Sequence, residues 1–152
     1  ILSNNNQLSF VDCGTIKSVA SMPMEVRLKQ LHDGVAEVVA RHTPHEAAIE
    51  ETFVNASGSS TLKLGQARGA LLLTLSLQQL PVYEYSATMV KKSVVGSGHA
   101  QKEQVGMMVG TLLPACRSHE GMKSADAADA LAIAICHAHQ RTVNQLIKVV
   151  QS

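Results

Sequence analysis

Two aspartates, Asp126 and Asp129, stand three residues apart in Ser124-Ala125-Asp126-Ala127-Ala128-Asp129-Ala130-Leu131-Ala132-Ile133-Ala134, a stretch otherwise small and apolar. Alanine and leucine favour a helix, Ser124 is a good N-cap, and carboxylates in the first turns complement the helix dipole. Spaced i, i+3, the two acids share a face. Either they serve only the dipole, or they hold a hard divalent metal. The surrounding alanines favour the second use, since they let a ligand approach closely and the paired charges repel without a cation between them. A third carboxylate, Glu50, interrupts the apolar run Ala47-Ala48-Ile49. Inside a buried strand it loses hydration, so it either pairs with a Lys or Arg or joins the aspartates. A strand-end glutamate with two aspartates at a helix start is the donor set of an Mg2+ or Mn2+ site, and α/β folds gather functional groups at the carboxyl ends of strands.

The elements that must position these acids follow from pattern. Gln7 to Ile16 is rich in strand formers with alternation at Leu8 and Phe10, and Asn4-Asn5-Asn6 before it is turn chemistry, which makes a hairpin with its partner upstream. From Pro23 to His42 the residues Met24, Leu28, Leu31, Val35 and Val38 form one apolar helical face, with Pro23 suited to the first position. Ala47 to Phe53 predicts a short buried strand, Thr61 to Leu80 a helix with Gly65 and Gly69 in GxxxG spacing, and Val82 to Ser86 another strand. Two glycines weaken that helix, so close packing against a helix or a partner subunit is the expected return. A short helix over Thr88 to Ser93, a Gly96-Ser97-Gly98 turn, a helix from His99 to Leu113 and a polar loop from Ala115 to Lys123 lead to the acidic helix. Val143 to Ser152 is expected as a frayed tail. Strands alternating with helices indicate an α/β fold with a mixed sheet flanked by helices in a single domain, residues 1–142, followed by the tail 143–152.

Composition sets limits. The chain has 152 residues, 45% of them apolar but only 3% aromatic and none tryptophan, so its core is built from Leu, Val, Ile, Ala and Met. A net charge of +1 neither requires nor excludes nucleic acid, because a basic groove can sit beside an acidic site. Cys13, Cys116 and Cys136 fit no zinc spacing and read as free or buried thiols of a reducing, cytoplasmic setting. No run is long and apolar enough for a membrane span. His137 and His139, at i, i+2 on a helix, point apart and do not read as a metal pair.

Several blocks together carry a resemblance: Ala48-Ile49-Glu50 with Phe53, Leu62-Lys63-Leu64-Gly65-Gln66-Ala67-Arg68-Gly69, Val90-Lys91, Val94-Val95-Gly96 with Lys102, and Ala125 to Ala134. In order and content, over about Gln7 to His139, they resemble the bacterial RuvC Holliday junction resolvases. The resemblance implies a ribonuclease-H-like fold and a homodimer. It also implies an Mg2+-dependent endonuclease, with Mn2+ as the alternative ion, that cuts four-way junction DNA in recombination and repair. By motif, Glu50, Asp126 and Asp129 match the metal-binding catalytic carboxylates. Lys91 and Lys102 match basic residues that contact DNA near the scissile phosphate, and Phe53 an aromatic that meets a base at the junction. A branch-migration complex is a further partner the resemblance suggests.

The pattern also breaks. The family carries another catalytic aspartate on a first strand in a DPG-like motif, and a second strand that ends about where this chain begins. Asp12, in Val11-Asp12-Cys13-Gly14, falls in what matches the third strand and is read as a decoy. Because a sheet does not dispense with a central strand, residues before Ile1 supplying two strands and one more aspartate are expected. Without them, the alternative is a catalytically inactive junction-binding dimer.

Overall fold

The computed structural model describes residues 1–4, 7–51 and 58–150, and within the last span the side chains of 60–141. The chain forms two compact units, one of Ile1–Thr15, Ala48–Glu51 and Glu84–Ser152, the other of Ile16–Ala47 and Thr52–Tyr83. Neither is a continuous stretch, so no single cut separates them as successive domains.

The first unit opens with an antiparallel hairpin, β1 (Leu2–Asn4) and β2 (Gln7–Ser9), in the register Leu2 to Ser9, Ser3 to Leu8 and Asn4 to Gln7. The expected strand to Ile16 stops at Ser9. Asp12 turns its carboxylate onto the Cys13 N–H at 2.8 Å, a local bond that competes with a strand ladder. Three helices then enclose the core: α3 (Ala87–Val95), α4 (Lys102–Leu112) and α5 (Ala125–Val150). Val90 and Val94, Val105 and Val109, and Leu131 and Ile135 are each spaced i, i+4, so each helix turns one stripe inward, with Leu113, Cys116 and Cys136 filling between them. Ser86 caps α3 by accepting the Met89 N–H, and Gly96 closes it in the left-handed conformation that glycine adopts without strain. The expected polar loop before α5 is two 3-10 turns, Pro114–Ser118 and Glu120–Lys123. Helix α5 continues to Val150, through the position where a tail was expected to begin.

In the second unit α1 (Met24–His42) packs on α2 (Gly58–Leu77). The inward stripe of α1 ends on half-buried Val39, whereas Val38, expected on it, is exposed. Helix α2 turns Thr74 and Leu75 inward. The Thr74 hydroxyl donates to the Ala70 carbonyl at 2.7 Å and meets His32 Nδ1 at 2.8 Å. Its single proton is committed to the carbonyl, so His32 is the donor and carries its proton on Nδ1. Gly65 and Gly69 have open space where a side chain would stand, so their spacing is not used for packing within the chain.

Strands β3 (Ala47–Glu50) and β4 (Val82–Tyr85) pair with each other. The Ala47 N–H donates to Pro81 and the Glu51 N–H to Tyr85, both 34 positions along, so the pair runs parallel. The antiparallel hairpin and this parallel pair are separate two-stranded sheets, so among the described residues the two pairing senses expected of one mixed sheet are divided between two small ones. Among the described residues no helix is long and apolar enough to cross a membrane.

Candidate active site

Glu50 is the last residue of β3 and is exposed, not enclosed as its apolar neighbours suggested. The strand is only four residues long and half-buried, so its carboxyl end reaches solvent with the glutamate on it. There Glu50 faces a cavity of about 210 Å³ within the first unit. Asp129 from the start of α5, Lys102 from the start of α4 and half-buried Lys91 from α3 line the same cavity. Val90, Val105 and Ala132 form its apolar wall. Four of the six residues singled out from sequence thus meet around one space, although they lie far apart along the chain.

Asp126 is exposed one turn before Asp129 and does not line the cavity, but its charge acts on Lys102. Phe53 lies outside the described residues. Asp12 lines no part of this cavity and bonds instead to Cys13 and His119. His137 and His139 point apart as expected: Nδ1 of His137 meets the Tyr85 hydroxyl at 2.8 Å, and Nδ1 of His139 meets the Ser93 hydroxyl at 3.1 Å.

The cavity's electrostatics centre on an ion pair. Lys102 Nζ lies 2.8 Å from Asp129 Oδ2, with the two side chains 60% and 45% exposed. The hydrogen bond to Asp129, then that carboxylate's charge, raise the Lys102 pKa against desolvation, with Asp126 and Glu103 adding to the rise. No sequence signal gave this pair, since its members are 27 positions apart on different helices.

Among the described residues no three His, Cys, Asp or Glu side chains stand grouped as a metal cage. Two carboxylates facing one cavity still fit Mg2+, which keeps several waters and is commonly held by one or two carboxylates together with substrate phosphates.

The family model described as crossover junction endodeoxyribonuclease RuvC matches residues 1–137. A protein of that name from Paramagnetospirillum magneticum is 58% identical over 141 residues, covering 93% of this chain and 82% of the relative. Another of that name, from Rhodopseudomonas palustris strain TIE-1, is 51% identical over 148 residues, covering 97% and 83%. Among solved structures, T. thermophilus RuvC in complex with Holliday junction substrate superposes with a TM-score of 0.84 at 31% identity, covering 95% of this chain and 86% of that one. A Thermus thermophilus RuvC structure matches with a TM-score of 0.74 at 35% identity, covering 85% and 76%. The chain therefore belongs to the RuvC family of crossover junction endodeoxyribonucleases and has their ribonuclease-H-like α/β fold.

Proposed function

We propose that this protein is a structure-specific endonuclease that resolves four-way DNA junctions by hydrolysing one phosphodiester in each of two symmetric strands, in cytoplasmic recombination and repair. The observation that carries this reading is the convergence of Glu50, Asp129, Lys91 and Lys102 on one cavity in a chain of the RuvC family. A RuvC of the same fold has been solved with a Holliday junction substrate, which supports the choice of DNA.

In this reading Glu50, Asp126 and Asp129 hold Mg2+, or Mn2+ in its place. When bound, the ion supplies charge neutralisation at the phosphate and a water of lowered pKa. The protein's own groups do the rest. Lys91 and Lys102 act as point charges that draw the phosphate into the cavity. The apolar wall of Val90, Val105 and Ala132 limits the water that competes for those charges. Phe53 stacks on an unpaired base, as the resemblance assigns.

Two cuts call for two sites, which a two-fold dimer provides. Helix α2 supports such a seam. Leu62, Gly65, Gly69, Leu73 and Leu77 lie on the face opposite Thr74 and Leu75, and the three leucines are 60–64% exposed. A branch-migration complex is a further partner in this reading.

A second reading, a junction-binding dimer without catalysis, draws on the lack of a three-residue metal cluster among the described residues. Incubation of a synthetic four-way junction with the protein and Mg2+ tests the proposal. Paired nicks that disappear in Asp129→Asn support the nuclease, and cleavage indifferent to that change removes these acids from its mechanism.

A further inference from the structure

Away from the cavity, three side chains that the proposed nuclease does not use form a connected row. Cys13 Sγ lies 3.5 Å from Nδ1 of His119, and Nε2 of the same ring lies 3.3 Å from Asp12 Oδ1. The proton positions follow from a fourth contact: the Gly121 N–H donates to His119 Nδ1 at 3.2 Å. An Nδ1 that accepts a backbone proton holds a lone pair, so the ring's own proton is on Nε2 and faces the Asp12 carboxylate. The thiol shares that lone pair with the Gly121 N–H, so Nδ1 is the acceptor that faces it, and the Asp12 carboxylate stands by Nε2, where it would stabilise an imidazolium. This is the logic of an assisted cysteine nucleophile.

The surroundings preserve that arrangement. The Phe10 ring meets His119 edge-on, with centroids 5.1 Å apart. A side chain on Gly121 would run into the Cys13 carbonyl oxygen and stand 3.0 Å from Sγ, so only glycine lets this turn close over the thiol. Cys13 is half-buried, with His119 and Asp12 37% and 38% exposed, so small solutes reach the group. Cys116 and Cys136 are fully buried in the core.

We infer that Cys13 is a modification site for small electrophilic oxidants of the hydroperoxide class, with His119 as its base and Asp12 as the residue that orients the base. In the step, the Cys13 S–H proton passes to His119 Nδ1 and the sulfur attacks one peroxide oxygen. The O–O bond breaks, and the departing hydroxide, or alkoxide from an organic hydroperoxide, takes the proton back from His119 to leave as water or alcohol. Sulfur is oxidised by two electrons to the sulfenic acid and the peroxide is reduced by two, so nothing further is consumed. Burial, then the neighbouring Cys116 and Asp12, push the Cys13 thiol up, so the resting group is the thiol and the proton transfer to His119 is required. The sulfur itself lies against the turn Glu120–Lys123, which leads into α5 and Asp126.

The test treats the full chain with hydrogen peroxide and a dimedone-type sulfenic acid trap, then measures labelling of each cysteine by peptide mass spectrometry. Cys13 should be labelled about tenfold or more faster than Cys116 and Cys136, which report that the fold is intact. His119→Gln should remove most of that advantage, and Asp12→Asn should reduce it while leaving the two core thiols protected. Labelling of Cys13 no faster than the core thiols overturns the inference, as does labelling unchanged in His119→Gln. If the variants expose the core thiols, iodoacetamide alkylation of the unaltered protein decides: equal rates at the three cysteines also overturn it.

Discussion

Lys102 and Asp129 meet at 2.8 Å in the lining of the cavity, so the lysine expected to hold phosphate rests on a carboxylate expected to hold metal. In the proposed reading, a cation held by Asp129 would replace this ion pair and leave Lys102 available to a phosphate. Lys102→Met should therefore weaken junction binding in the presence of Mg2+ and lower the slope of log affinity against log salt by about one. Lys91→Met should do the same. Titrations at several salt concentrations measure both, and an unchanged slope would place these lysines off the DNA.

Removing metal separates binding from cutting. In EDTA the protein should keep a salt-sensitive preference for four-way junction over linear duplex while cleavage stops. Glu50→Gln should behave likewise with Mg2+ present, losing about a hundredfold or more in cleavage rate. Gel-shift and nicking assays on one junction check this. Binding without cleavage by the intact protein in Mg2+ would favour the inactive binder.

The exposed stripe of α2 gives a test of assembly. Because the space beside Gly69 is open within the chain, Gly69→Phe is tolerated by the protomer itself, and any loss of self-association reports on the partner. Sedimentation should show monomers for Gly69→Phe and for Leu73→Asp, with unchanged helical circular dichroism. A dimer that survives both changes lies on another face.

Ile135 is fully buried where α5 meets the core of the first unit. Ile135→Ala should cost about 2–5 kcal/mol, the usual range for a buried aliphatic truncated to alanine. Urea unfolding measures it, and a cost below about 1 kcal/mol would mean that the site collapses around the loss.

Alkaline stability follows from the thiols. Burial raises Cys13, Cys116 and Cys136 above the usual 9.0, so the folded chain keeps protons that the unfolded chain releases. That contribution is whole below pH 9 and is lost as pH rises through the folded values. The unfolding midpoint should thus be flat from pH 7 to about 8 and decline above 9, and Cys136→Ala should soften the decline. A midpoint that rises between pH 9 and 10 would contradict the sign.

What the sequence disclosed was local, and what it withheld was relational. Helices were legible because 3.6-residue spacing announces a buried stripe, although Val38 and Val39 exchange roles at the end of α1. The hairpin was legible from Asn4 and the alternation after it, but not its early end, because whether Asp12 bonds its own backbone is settled after the chain has folded. Glu50 was found for a partly mistaken reason. Its apolar neighbours suggested enclosure, whereas a four-residue strand delivers it to solvent. The contacts of Lys102 with Asp129, and of His119 with Cys13 and Asp12, join residues that no spacing rule links.

The two histidines of α5 act on the site without touching it. His137 is tied to Tyr85 on β4 and His139 to Ser93 on α3, so the helix is fixed from two directions. One residue of slip turns an α-helix by about 100°. A cylinder keyed at two points cannot roll, and on the same cylinder about two to three turns upstream stands Asp129. The bearing of that carboxylate into the cavity is therefore set by side chains that do not line it, and loosening either key would misdirect Asp129 while Glu50, Lys91 and Lys102 stayed in place.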